Sequence, residues 1–102
     1  MSDAKKILVV EDESHLAKGL QFNLEREGYI VSLVDNGESA IELLSEKAFD
    51  LMILDIMLPK LNGIEVARRV RNTDLRFPIL MLSAKSSDED RELGLEAGAD
   101  DY

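Results

Sequence analysis

Ile7-Leu8-Val9-Val10-Glu11-Asp12-Glu13 passes from four apolar residues to three acids without a break. The apolar run is short, mostly β-branched and free of polar alternation, which suits a strand covered on both faces, as in a parallel sheet. The acids mark where that strand reaches water. The pattern recurs at Leu51-Met52-Ile53-Leu54, apolar throughout and ending on Asp55, and again at Ile79 to Leu82, which follows Phe77-Pro78 and closes on Ser83.

Helical spacing fills the intervals. From Ser14, Leu16, Leu20 and Leu24 recur every fourth residue with Ala17 beside them, and Gly28 supplies a stop. Tyr29 to Val34 is rich in strand formers; Asp35-Asn36-Gly37 breaks it, and Ala40, Ile41, Leu43 and Leu44 form the stripe of a second helix. Pro59 keeps the next stretch from continuing as helix. Asn62 with Glu65 three residues later resembles a capping box, opening a helix with Ile64, Val66, Ala67 and Val70 inward. Ser86 or Ser87 would cap a further helix carrying Leu93, Leu95 and Ala97, ended by Gly98. Alternating strands and helices predict right-handed βαβ units: an α/β fold with a doubly wound, mainly parallel sheet.

Composition narrows the chemistry. The 102 residues suit one domain with little surplus core. No apolar run approaches the roughly 20 residues of a membrane span, and no signal-peptide core stands at the N-terminus, so a soluble, cytoplasmic protein with no membrane contact is expected. With no cysteine and one histidine, a bound metal needs oxygen ligands. The net charge of -9 argues against a grip on nucleic acid by this segment.

In an open parallel sheet, ligands gather at the carboxyl ends of the strands, beside the point where strand order reverses. The order 2-1-3-4 would bring Glu11 and Asp12 from the first strand together with Asp55 from the third. Clustered carboxylates repel one another unless a cation neutralises them, and oxygen donors at an aqueous edge suit Mg2+. Beside such an ion an Asp55 oxygen could attack phosphorus, with Ser83 bonding a phosphoryl oxygen. A lone acid after a strand is more often a cap or loop residue; its convergence with Glu11 and Asp12 reverses that balance. His15 reads as a solvent-facing residue at a helix start, the run Ser87-Asp88-Glu89-Asp90 as a complement to a helix N-terminus, and Met52 and Met81 as core filler.

These residues resemble the receiver domain of two-component response regulators along the whole chain: ILVVEDE at 7–13, DLMILDIMLPKLNG at 50–63, PILMLSA at 78–84 and AGADDY at 97–102. The wording around Asp55 and the AGADDY end is most similar to receivers of the OmpR/PhoB group. The resemblance implies a flavodoxin-like (CheY-like) fold, with Asp55 as phosphoacceptor, Asp12 and Asp55 on Mg2+ directly, Glu11 through water and the Met57 carbonyl as a further ligand. It implies that Ser83 follows the phosphoryl group and that Tyr102 is the aromatic switch residue. The phosphoryl group would come from a sensor histidine kinase, making the domain a self-phosphorylating and autodephosphorylating acceptor rather than a conventional turnover enzyme. The output would be transcriptional, through a winged-helix DNA-binding domain lying outside residues 1–102.

Two departures shape the expectations. Glu11 replaces the more usual Asp, with one extra methylene. The rest of strand five after Tyr102, helix five and the family's lysine in a Lys-Pro pair are missing from residues 1–102, so slower transfer or an uncoupled response is expected, and self-association, with homodimerisation one form. Lys85 does not replace that lysine, since it falls at a site the family varies. A haloacid dehalogenase type phosphatase would need a second Asp two residues after the nucleophile, where Met57 stands. A flavodoxin-like cofactor binder would need a neutral loop in place of Glu11-Asp12-Glu13. The remaining alternative is a non-catalytic interaction or dimerisation module.

Overall fold

The computed structural model describes residues 4–56, 58, 61–73 and 77–82. They form β1 (Lys6–Val10), α1 (Ser14–Arg26), β2 (Ile30–Val34), α2 (Gly37–Glu46), β3 (Leu51–Asp55), α3 (Gly63–Thr73) and β4 (Ile79–Leu82). The strands are all parallel, in the order β2-β1-β3-β4. The flavodoxin-like (CheY-like) doubly wound sheet expected from the sequence is therefore the fold. Met57, Pro59, the helix expected after Ser83, and Tyr102 lie outside the described residues.

Each apolar strand serves two cores, which is why alternation was missing from its sequence. Leu8 and Val10 of β1 join Met52 and Leu54 of β3 and Ile79 and Met81 of β4 against Ala40 of α2 and Val66, Ala67 and Val70 of α3. The intervening Ile7, Val9, Val31 and Ile53 meet Leu20 and Leu24 of α1 on the opposite face. Leu80 and Leu82 of β4 also face that side and are half-buried. Leu16 departs from the predicted stripe of α1. It is 48% exposed, and the adjacent Ala17 is the residue of the first turn that the helix buries. The second strand begins at Ile30, one residue later than predicted, because Tyr29 closes the preceding helix.

That closure explains Gly28, whose φ of 96° is in the left-handed region. The Tyr29 N–H donates to the Leu24 carbonyl at 3.2 Å and the Gly28 N–H to that of Glu25 at 3.0 Å, the paired bonds of a Schellman motif. A side chain at 28 costs about 1 kcal/mol in that conformation. At the other helix starts, Asn36 Oδ1 accepts from the Ser39 N–H at 2.8 Å and Asn62 Oδ1 from the Glu65 N–H at 3.0 Å. The capping box predicted at Asn62 has this half; the Glu65 carboxylate lies 3.5 Å from Arg69 Nε along the helix.

Strand register places the chemistry. Asp50 and Lys6 clasp β1 to β3 at their entrances: the Lys6 N–H donates to Asp50 Oδ2 and the Asp50 N–H to the Lys6 carbonyl, each at 2.7 Å. From there Ile7 pairs with Leu51 and so on to Val10 with Leu54. The next pair along the register is Glu11 and Asp55.

Candidate metal and phosphoryl site

At the carboxyl edge of the sheet, Glu11, Asp12 and Asp55 each bring a carboxylate oxygen within 4.8 Å of the others. Glu11 and Asp55 are buried and Asp12 is exposed, so the cluster is a pocket with one wet side. The backbone holds it from both strands. The Glu11 N–H donates to the Val34 carbonyl at 3.0 Å, extending the β1–β2 ladder one residue past Val10. The Ile56 N–H donates to the Leu82 carbonyl at 3.1 Å, fixing the residue after Asp55 against β4.

Gly63 sets the third side. Its N–H donates to the Ile56 carbonyl at 3.0 Å, drawing the first turn of α3 onto the end of β3. A Cβ there would fall on the Asp55 carbonyl oxygen and lie 2.8 Å from Ile56 Cα. Gly63, the last residue of the 50–63 stretch, thus has a steric reason: only glycine lets the helix approach the strand end so closely.

The electrostatics disfavour three free carboxylates side by side. Burial pushes the Glu11 carboxyl up to about 7, aided by a shared hydrogen bond and repulsion with Asp55 and by a contact with Asp12, and opposed by the Glu13 N–H. That N–H donates to Glu11 Oε2 at 3.0 Å. The folded protein holds the Glu11 proton up to about pH 7, whereas the unfolded chain releases it near 4.5. Between those values the folded state binds more protons, so stability falls as pH rises. After screening by water at the open side, the loss is about 1–2 kcal/mol. In chelator, the urea midpoint should therefore be lower at about pH 8 than at about pH 5, and Mg2+ should remove the difference by replacing the proton. A midpoint that rises over this interval in chelator would contradict the account.

The donor set fits Mg2+. An octahedral ion with donors about 2.1 Å away spans about 4.2 Å between opposite ligands, so a cluster of this width accommodates it with one carboxylate acting through water. Beside the cluster, between the start of α1 and the β2–α2 loop, a cleft of about 440 Å3 is walled by Asp12, Ser14, Lys18, Asp35 and Ser39. A separate hollow of about 350 Å3 lies at the opposite edge of the sheet, among Ile41, Leu44, Phe49, Val70 and Phe77. It presents no carboxylate among the described residues and has no part in this chemistry.

Of the residues expected at the site, Glu11, Asp12 and Asp55 are brought together; Met57, Ser83 and Tyr102 lie outside the described residues. Glu13 was read only as an acid at the strand edge, and it has a second role. Its carboxylate caps α1, accepting from the His15 N–H at 3.1 Å and the Leu16 N–H at 2.8 Å. The Leu16 and His15 N–H groups hold the Glu13 carboxyl below its ordinary value. The available signal was an acid directly before a helical stripe, which many helices share.

Comparison with known proteins places these features in context. Residues 7–102 match the family model described as response regulator receiver domain. Over 98 residues the chain is 54% identical to the alkaline phosphatase synthesis transcriptional regulatory protein PhoP of Bacillus subtilis (strain 168), covering 96% of this chain and 41% of that protein. The chain thus spans about two-fifths of that curated relative. Among solved structures it is similar to a putative response regulator from Chloroflexus aurantiacus J-10-fl, at 34% identity and TM-score 0.93, covering 98% of this chain and 84% of that one. It is also similar to the BeF3-activated DrrB receiver domain, at 35% identity and TM-score 0.87, covering 98% and 83%. Among the described residues, no helix is long and apolar enough to cross a membrane.

Proposed function

We propose, because the chain belongs to the response regulator receiver domain family, that Asp55 accepts a phosphoryl group from the phosphohistidine of a sensor kinase and that this uptake switches a transcriptional output. The observation that carries the reading is the β1–β3 register, which brings buried Glu11 beside buried Asp55 with Asp12 at the rim. Glu11, Asp12 and Asp55 would hold Mg2+, whose charge offsets that of the carboxylates and the phosphoryl oxygens.

The chain's own part is positioning. Asp55, at the end of a strand fixed on both sides, presents a carboxylate oxygen for in-line attack. The new O–P bond forms as the donor's P–N bond breaks, and the imidazole leaves with a proton. Asp12, exposed beside the cleft, stands where an incoming donor arrives. On the same premise the Met57 carbonyl adds a ligand, Ser83 bonds a phosphoryl oxygen and Tyr102 relays the change. On this reading the domain would act in the cytoplasm, self-associate, and serve a separate winged-helix domain that reaches DNA.

Incubation with Mg2+ and phosphoramidate, read by intact mass, tests the reading. One phosphoryl group per chain is expected with Mg2+ and almost none with chelator. Absence of an adduct under both conditions would favour a non-catalytic interaction module.

A further inference from the structure

Glu13 lies beside the carboxylate cluster and is tied to it from one side and to α1 from the other. Its carboxylate accepts from the N–H groups of His15 and Leu16, and its carbonyl accepts from the Ala17 N–H at 3.0 Å. Three bonds to the first turn of the helix therefore fix the orientation of residue 13. A fourth carries that orientation into the site: the Glu13 N–H donates to Glu11 Oε2 at 3.0 Å. The Glu13 side chain itself is exposed. Its two carboxylate oxygens, each on a different N–H, hold the backbone more firmly than the single bond of a hydroxyl cap.

We infer that Glu13 is a positioning residue for the metal site: by capping α1 it aims its own N–H at Glu11 and keeps that carboxylate turned toward Asp12 and Asp55. This rests on the Mg2+ reading proposed above. Hydrogen bonds that orient a ligand from behind commonly account for 10- to 100-fold in metal affinity, so loss of the cap should register in Mg2+ binding although Glu13 does not touch the ion. It also links the site to α1, since a shift in the first turn of the helix would be passed to Glu11 through one residue.

Mg2+ titration by calorimetry on the full chain separates this role from helix stability. Glu13→Ala should raise the Mg2+ dissociation constant about tenfold. Glu13→Asp, which keeps a capping carboxylate, should stay within about twofold of wild type. Gly28→Ala, which weakens the same helix at its far end, should leave Mg2+ affinity unchanged. In chelator, the hydrogen-exchange protection of the residue 13 amide should fall in Glu13→Ala and persist in Gly28→Ala. Wild-type Mg2+ affinity with unchanged protection in Glu13→Ala would overturn the inference, as would an equal loss of affinity in Gly28→Ala. A wild-type protein that binds no Mg2+ would overturn the metal reading instead, and the exchange comparison would still decide whether Glu13 holds Glu11.

Discussion

Asp55→Asn should take up no phosphoryl group from phosphoramidate and Mg2+, yet melt no lower than wild type in chelator. The side chain is nearly isosteric, so the packing at the end of β3 is retained. An amide offers no anionic oxygen to phosphorus, so the nucleophile is lost outright. Stability should move the other way, because Asp55 is buried beside Glu11 and contributes to the repulsion that lifts the Glu11 carboxyl to about 7. Removing that like charge relieves about 1 kcal/mol of strain near neutral pH. The pairing of lost uptake with undiminished stability distinguishes a nucleophile from a structural acid. Intact mass and thermal unfolding on the same preparation check both halves, and a variant still phosphorylated at the wild-type rate would place the acceptor elsewhere.

Gly63→Val should damage both fold and site. The atoms a Cβ would meet at residue 63 are the backbone of Asp55 and Ile56, which cannot rotate away as a side chain can. Either α3 retreats and the bond from the Gly63 N–H to the Ile56 carbonyl breaks, or the end of β3 is pushed aside. Strain of this kind costs about 3 kcal/mol, equivalent to a fall of roughly 15 °C in melting temperature for a domain of this size. A displacement of about 1 Å at a reacting group commonly costs about 100-fold in rate, so uptake on Asp55 should fall by that factor even where the variant is folded. Circular dichroism on heating, with uptake rates measured well below the transition, separates the two losses. Wild-type melting in Gly63→Val would show that the approach of α3 to β3 is not the constraint described here.

Much of this is legible in the sequence. The unalternating runs in β1 and β3 signal two-sided burial, and acids at the ends of both strands, brought to one sheet edge, signal a site where either alone would not. The βαβ pattern predicts a parallel sheet but not its order; the order 2-1-3-4 came with the resemblance, and the β1–β3 register then brings Glu11 level with Asp55. Other features depend on geometry that one-dimensional spacing does not encode. Leu16 fits the helical period as well as Leu20 does, yet it is exposed while Leu20 packs on the sheet; period fixes a face, not how much of it a neighbour covers. Gly63 has no assigned role in the sequence, because closeness to a strand distant along the chain leaves no local mark. Glu13 looked like one acid among three, and only the direction of its N–H separates its part from those of Glu11 and Asp12.

The central claim, that the Asp55 carboxylate becomes an acyl phosphate at this acidic edge, is tested most directly by trapping the bond. After phosphorylation with Mg2+, borohydride reduces an acyl phosphate to an alcohol, and peptide mass mapping locates the reduced residue. The account predicts homoserine in place of Asp55, absent when Mg2+ is chelated. A phosphoryl group mapped instead to His15, Ser14 or Ser39, or reduction at Glu11 or Asp12 with Asp55 intact, would contradict it.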